Sequence, residues 1–170
     1  GESNMRNSVS IGDGFYKSTD EGDNWTKTGG LDSTEHIAKI AIDPVNPDVI
    51  FVAAPGPLWS DSRHRGLYKS IDAGKTFEKV LYINDKAGCA DVSIDPKNPN
   101  IIYATTWEFR RLPYLFNSGG QGSGIWKSLD GGKTWKNLGD NYKHVDNHAI
   151  WINPNDNKHI IAGCDGGVYE

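Results

Sequence analysis

Hydrophobic residues lie along the chain in short runs, rich in β-branched and aromatic side chains, that end at Gly, Pro or Asn. This pattern favours strands over helices, and no segment keeps a convincing helical period. In the clearest unit the runs predict strands at residues 37–42, 49–53, 66–70 and 77–83. The sequence therefore predicts an all-β fold.

Two kinds of turn separate the runs, and each occurs three times. The pattern Ser-x-Asp-x-Gly-x-x-aromatic lies at residues 18–25, 70–77 and 128–135. A turn of the type Asp-Pro-x-Asn-Pro, or a close variant, follows each of these at a constant distance, at residues 42–47, 94–99 and 152–157. Four short antiparallel strands in a unit of about 50 residues match a β-propeller blade. We therefore expect about three blades, with both chain ends in the middle of a blade.

The first of these turns carries a family resemblance. It resembles the Asp-box, also called the bacterial neuraminidase repeat. Together with the turn at 43–47 and the His-Val-Asp-Asn-His segment at 144–148, the three Asp-boxes make the chain similar to bacterial Asp-box propellers related to sortilin, which are often labelled glycosyl hydrolases. The similarity covers essentially the whole chain. The resemblance implies a propeller of seven or more blades in a secreted, cell-surface or periplasmic protein. Residues 1–170 would then be a partial propeller domain, completed by further blades of the same protein or of another chain.

The Asp residues of the three Asp-boxes are predicted to have a structural role. Each carboxylate is suited to accept backbone N–H bonds in a tight turn, while Gly supplies a positive φ and the aromatic residue packs on the hairpin. The residues concerned are Asp20, Asp72 and Asp130. We do not count them among the catalytic candidates.

Composition excludes several classes of protein. The 170 residues carry 18 Lys and Arg against 22 Asp and Glu, so the net charge of −4 provides no basic footprint for nucleic acid. The apolar runs are too short for membrane insertion. The two cysteines, Cys89 and Cys164, are too few for a disulfide framework and leave the redox compartment open. The start at Gly1 suggests processing or a fragment.

The long connections after the second strand of each unit are the best functional signal. They are residues 1–13, 54–65 and 105–122, and in a meander they share one edge, which we call the loop rim. All five arginines and none of the 13 lysines fall in them. Because arginine pairs with carboxylates and stacks on rings, this predicts a face that binds an acidic or carbohydrate-bearing partner. The candidate ligand-binding residues are Trp59, Arg63, Arg65, Trp107, Arg110, Arg111, Tyr114 and Phe116.

An alternative remains open for the same segments. The loops would fold as a small core, with arginines that bridge neighbouring blades and aromatic side chains buried between them. Both interpretations place the arginines on the loop rim, and they differ in whether the guanidinium groups are exposed or buried.

A glycoside hydrolase needs two carboxyl groups that flank the bond to be cleaved. The candidates on the loop rim are Glu108, Asp61, Asp140 and Asp165. Glu108 is the most interesting because it lies within Trp-Glu-Phe-Arg-Arg, although an ion pair with Arg110 or Arg111 is the simpler expectation. The Arg-Ile-Pro motif that the resemblance requires of a sialidase is absent from the sequence. No nucleophile elbow, P-loop or dinucleotide fingerprint occurs either, so we expect no cofactor.

The segment His144-Val-Asp-Asn-His148 raises the question of a metal. On a strand, His144, Asp146 and His148 would share one face near the central channel of the propeller. Successive side chains on that face are roughly 6.6 Å apart at the backbone, so one ion would need a twisted strand end or ligands from other blades. His36 takes the position in an earlier unit that is equivalent to Asp146, so a polar residue at this strand entry is a repeated structural feature. We therefore expect a hydrogen-bonded polar strand and no metal.

Taken together, these patterns predict a non-catalytic recognition propeller that binds a peptide, a protein or a glycan through the loop rim. The first alternative is a glycoside hydrolase similar to xyloglucan-degrading Asp-box enzymes. The second is a structural subunit of a secreted or surface assembly. Two loop carboxylates in one open cleft would favour the enzyme, and a Glu108 that is locked to arginine would count against it.

Overall fold

The computed structural model describes residues 9–139 and 143–170. In this described part the only helical element is a 3₁₀ turn at Asp32–Thr34, which confirms the all-β prediction. The strands are β1 (Phe15–Lys17), β2 (Thr26–Thr28), β3 (Lys39–Ile42), β4 (Ile50–Ala54), β5 (Gly66–Ser70), β6 (Glu78–Leu81), β7 (Ala87–Ile94), β8 (Ile102–Leu112), β9 (Leu115–Ser118), β10 (Gly124–Ser128), β11 (Lys136–Asn137), β12 (Asn147–Ile152), β13 (Ile160–Cys164) and β14 (Gly167–Tyr169).

The strands form antiparallel sheets in series along the chain, which we number blades 1 to 4. Blade 2 is the complete meander β3-β4-β5-β6, and blade 3 is β7-β8-β10-β11 with β9 paired to β8. Blade 1 contributes β1 and β2, and blade 4 contributes β12, β13 and β14. The antiparallel blades that the repeat predicts are therefore present.

The core lies between the blades, because the second strand of a blade is buried on both of its faces. Along β4, Phe51 and Ala53 face blade 3, where they pack with Val92 and Ile102. The alternate residues of β4, among them Val52, face blade 1. This two-residue alternation of side chains lets one fully apolar strand join two interfaces. A third apolar cluster, formed by Tyr103, Ile125, Ile150, Ile152 and Ala162, joins blades 3 and 4.

Each Asp-box makes a closed turn between the third and fourth strands. In the second box, Asp72 accepts hydrogen bonds from Ser70 Oγ at 2.7 Å, Thr76 N at 2.9 Å and Thr76 Oγ1 at 2.6 Å. Gly74 has a φ of 84°, which a side chain would strain. The carboxylate thus satisfies donors of its own turn and is not directed at a ligand.

The Asp-box turns also join neighbouring blades. Lys17 donates to the carbonyl oxygen of Ala73 at 3.0 Å, and Lys69 donates to that of Gly131 at 2.7 Å. Both lysines directly precede the serine of an Asp-box, and both acceptors directly follow the Asp of the next one. These contacts place the Asp-boxes on one edge of the molecule.

Hydrogen bonds between loops define the opposite edge, the loop rim. Ser62 N donates to the carbonyl oxygen of Asp85 at 2.8 Å, and Arg111 N donates to that of Leu58 at 3.0 Å. Connections from blades 2 and 3 therefore meet on the side away from the Asp-boxes. The described residues include no helix that is long and apolar enough to cross a bilayer.

The Asp-box carboxylates predict how stability responds to acid. Hydrogen bonds from the Thr76 side chain and backbone lower the pKa of Asp72 from 3.8 to about 2. The folded state therefore binds fewer protons than the unfolded chain, and this contribution is complete above pH 3.8 and is lost as the pH falls towards 2. We expect Asp72→Asn to lower the urea midpoint at neutral pH and to flatten its dependence on pH in that window.

The matched control for this test is Asp48→Asn, since Asp48 is an exposed carboxylate on the neighbouring turn. It should leave the urea midpoint at neutral pH as in the parent. Equal acid profiles for the parent and Asp72→Asn would contradict the role assigned to the Asp72 carboxylate.

Candidate functional site

The loop rim of blade 3 is built on an unusually long strand. β8 has 11 residues and continues past the blade, where it pairs with β9 from Phe109–Ser118 to Leu112–Leu115. Most of the segment 105–122 is thus a β-hairpin and not the long loop that the sequence predicted. The hairpin holds its side chains on a paired backbone, which is a more rigid support than a free loop.

Two of the predicted ligand-binding residues are buried in this rim. The Arg65 guanidinium donates to the carbonyl oxygens of Pro55, of Pro57 at 2.6 Å and of Ser60 at 3.1 Å, and it is inaccessible to solvent. Trp107 is also buried, and its Nε1 donates to Ser118 Oγ at 3.1 Å. For Arg65 and Trp107 the structure therefore favours the small core over contact with a ligand.

Four other predicted residues come together in an exposed depression of about 380 Å³. Trp59 is 48% exposed and Tyr114 is 84% exposed. The Arg111 guanidinium lies 4.7 Å from the centre of the Phe116 ring, which holds both side chains in place. The lining residues are Trp59, Arg111, Leu112, Pro113, Tyr114, Leu115 and Phe116.

A second, more polar depression of about 480 Å³ contains two of the candidate carboxylates. Glu108 is half-buried and accepts a hydrogen bond from Gly122 N at 3.0 Å. Arg110 pairs with Asp61 at 3.2 Å, across blades 2 and 3, and not with Glu108 as we expected. The lining residues are Asp61, Asn84, Asp85, Lys86, Glu108 and Gln121.

Asn84, Asp85 and Lys86 were missed by the sequence analysis. They lie in the connection from β6 to β7, which returns to the loop rim because it follows the fourth strand of a blade. The alternation of edges in a meander was the signal that could have found them. The remaining candidates lie elsewhere: Arg63 is exposed outside both depressions, and Asp140 lies outside the described residues.

His144, Asp146, His148 and Asp165 form a compact group that we call the His–Asp cluster. β12 begins only at Asn147, so His144 and Asp146 precede the strand and do not share its face as predicted. His144 Nδ1 contacts Asp146 Oδ1, and His148 Nε2 lies 3.8 Å from Asp146 Oδ2. The Asp165 carboxylate lies 3.8 Å from His148 Nδ1.

The two carboxyl groups of the His–Asp cluster titrate differently. Burial acts to raise the pKa of Asp146, but hydrogen bonds from the His144 and Asp165 side chains outweigh it, and the net shift is downward. The hydrogen bond to the Asp146 carboxylate raises the pKa of Asp165. Asp146 is therefore the stronger acid of the pair.

The two cysteines form no disulfide. Cys89 is buried, and burial raises the pKa of its thiol.

Solved structures share this architecture. An ancestral GH74 enzyme superposes with a TM-score of 0.72 and 22% identity, covering 95% of this chain and 20% of the enzyme. A GH74 enzyme of Niastella koreensis superposes with a TM-score of 0.65 and 20% identity, covering 88% of this chain and 21% of that one. At this level of identity the likeness shows the propeller fold alone.

A curated relative is a probable oligoxyloglucan-reducing end-specific xyloglucanase of Neosartorya fischeri, 26% identical over 129 residues. The match covers 74% of this chain and 13% of the relative, so the chain spans a small part of that protein. A family model described as sortilin, neurotensin receptor 3, matches residues 13–162. Since this match takes in both complete blades and all three Asp-boxes, the chain belongs to the Sortilin-Vps10 family.

Proposed function

We propose that residues 1–170 form part of a glycan-binding face in a longer Asp-box propeller outside the cytoplasm. The site is the depression of the loop rim that Trp59, Arg111 and Tyr114 line. The single observation that carries the proposal is the exposure of Trp59 and Tyr114 beside one depression. The xyloglucanase relative supports a β-glucan chain such as xyloglucan as the ligand.

The chemistry of the depression suits a sugar chain. Pyranose rings present C–H groups that pack against aromatic faces, and large exposed aromatic side chains on a rigid support are typical of binding surfaces. The volume of about 380 Å³ lies within the usual range for small-ligand sites. The backbone bond from Arg111 to Leu58 ties the hairpin of blade 3 to the loop that carries Trp59, so both walls are ordered before a ligand arrives.

Isothermal titration of the natural polypeptide that carries residues 1–170 with a xyloglucan oligosaccharide tests the proposal. We expect Trp59→Ala and Tyr114→Ala each to weaken binding about 5-fold or more, since each removes one stacking surface worth roughly 1 kcal/mol or more. Trp151→Ala is the matched control, because Trp151 is 47% exposed against 48% for Trp59 but lies in blade 4, away from the depression. Equal affinities for Trp59→Ala and Trp151→Ala would contradict the proposal.

The polar depression favours hydrolysis as a second candidate function. Asp61 and Glu108 line the same open space, and no arginine pairs with Glu108 among the described contacts. Two carboxyl groups beside one polar cleft are the arrangement that glycoside hydrolysis requires, and Glu108 and Asp61 supply them here. We expect Glu108→Gln to abolish release of reducing ends from xyloglucan and to leave oligosaccharide binding intact. Full activity in that variant would remove Glu108 from the reaction.

A further inference from the structure

The His–Asp cluster brings together several side chains that could each supply a metal ligand. One atom each from Asp146, His148 and Asp165 lie within 4.8 Å of one another, and His144, Asp146 and Cys164 form an overlapping group with the same property. The two groups share Asp146, whose side chain is 1% exposed. Imidazole nitrogen and carboxylate oxygen together are the donors that zinc and similar divalent transition ions prefer.

We infer that the His–Asp cluster is a binding site for one divalent transition metal ion, with Asp146, His148 and Asp165 as its ligands. His144 contacts Asp146 and lies at the edge of the same site. This departs from the hydrogen-bonded polar strand that the sequence favoured. The site is separate from the two depressions of the proposed function, and it does not depend on glycan binding.

The state of His148 is the observation that points to a ligand. Its Nε2 atom is buried, and among the described residues it has no hydrogen-bond partner. Asp146 Oδ2 is 3.8 Å from this atom, which is too far for a hydrogen bond. Two donors that each lie about 2.0–2.2 Å from one zinc ion are roughly 3–4 Å apart. The gap between these two atoms therefore fits a shared ion better than it fits a direct contact.

The charges in the cluster favour a cation. One carboxylate oxygen of Asp146 and one of Asp165 lie within 4.8 Å of each other, and two carboxylates at that distance repel each other unless a proton or a cation lies between them. Asp146 is fully buried, so its charge is poorly screened by water. A divalent ion at this point would balance both carboxylates.

The ligands are also held in place by their surroundings. The register of β12 shifts between Asn147 and Ala149, and this bulge sets the position of His148. The Trp107 ring packs against the His148 ring with centroids 4.5 Å apart. Ser118 Oγ lies 3.5 Å from Asp146 Oδ2, and Asp165 N donates to Asp146 Oδ1 at 3.3 Å. Such outer contacts orient metal ligands before the ion binds.

Titration of the metal-stripped natural polypeptide with Zn²⁺, and with Co²⁺ as an absorbing substitute, tests the site. We expect one ion to bind per chain, and we expect His148→Gln and Asp165→Asn each to weaken binding by about 10-fold or more. Both variants should fold, because these side chains are 37% and 66% exposed. Asp146→Asn should have at least as large an effect.

The matched control is His64→Gln, which changes a histidine of the loop rim outside the cluster and should bind both ions as the parent does. The Co²⁺ spectrum adds a readout of coordination that a change in folding alone would not reproduce. If His148→Gln and Asp165→Asn bind Co²⁺ as tightly as His64→Gln, or if the parent shows no saturable binding, the inference is wrong.

Discussion

Replacing Arg65 with methionine is expected to lower the free energy of unfolding by about 3 kcal/mol, because it leaves buried carbonyl groups without a donor. The guanidinium donates to Pro55, Pro57 and Ser60, and it lies 4.3 Å from the centre of the Phe109 ring of blade 3. Methionine keeps an apolar stem of similar length but donates no hydrogen bond. The loss of these hydrogen bonds is offset in part, because methionine also removes a buried charge that is costly to desolvate. Burial lowers the pKa of Arg65 to about 10 for the same reason.

Urea unfolding of the natural polypeptide, followed by tryptophan fluorescence, measures this effect. Arg63→Met is the matched control, since Arg63 is an exposed arginine of the same loop, and it should change the free energy by less than about 0.5 kcal/mol. Arg65→Lys should resemble the methionine variant, because one ammonium cannot reach carbonyls on both sides of the guanidinium fork. A stability of Arg65→Met within error of Arg63→Met would show that the loop does not depend on this side chain.

The arginines show where prediction from the sequence was limited. Their confinement to the loop rim was visible in the sequence, but the partners of each guanidinium were not. Arg65 binds backbone carbonyls of its own loop, Arg110 pairs with Asp61 of another blade, and Arg111 lies over the Phe116 ring. Whether an arginine is buried or exposed depends on the groups that the fold places around it. The composition could therefore locate the loop rim but could not tell which of its arginines are buried.

The blades themselves were predictable because their signals are local. In blade 2 the strand bounds differ from the predicted ones by at most two residues. Strand runs, Gly with positive φ and the serine and aspartate of the Asp-box all act within a few residues of each other. The hairpin β8–β9 also had a local signal that we did not use: the aromatic residues Trp107 and Phe109 alternate with the charged residues Glu108 and Arg110, as expected of a strand. In the structure the two aromatic residues are buried and the two charged residues are half-buried.

The His–Asp cluster depended on contacts that the sequence does not encode locally. The spacing of His144, Asp146 and His148 predicted side chains too far apart for one ion. The bulge in β12 and the return of β13 towards Asp165 bring the groups together. Such shifts of register follow from packing between blades, so they are outside the reach of periodicity arguments.

The position of Asp146 has counterparts in the other blades, and these differ in chemistry. His36, Gly88 and Asp146 each lie at the entry to the first strand of a blade, the same number of residues before its last isoleucine. His36 Nδ1 is 3.1 Å from the carbonyl oxygen of Gly56, while Gly88 lies directly against Pro55. The same backbone position thus makes a polar contact at His36, packs closely against the backbone at Gly88, and forms part of the His–Asp cluster at Asp146.

Gly88→Ala is expected to be among the most destabilising single changes in the chain, at about 3 kcal/mol. A Cβ at this position would lie 2.0 Å from the carbonyl oxygen of Pro55 and 2.4 Å from its carbonyl carbon. Both neighbours are backbone atoms, and Gly88 lies within β7, paired with Trp107 of β8. Relief would require either the strand or the loop rim to move. Urea unfolding of the variant and the parent under the same conditions measures the cost.

Gly163→Ala is the control that isolates this clash. Gly163 lies within β13, and a Cβ there would meet the Ala149 Cβ at 3.6 Å, an ordinary contact. Neither glycine has a positive φ, so both changes add one methyl group in a strand and restrict the unfolded chain equally. Because that entropic gain is common to both variants, the difference between their free energies of unfolding reports the close approach of β7 to Pro55 alone. Equal stabilities would mean that the loop rim yields to β7, and the preformed depression proposed beside Trp59 would then lose its rigid support.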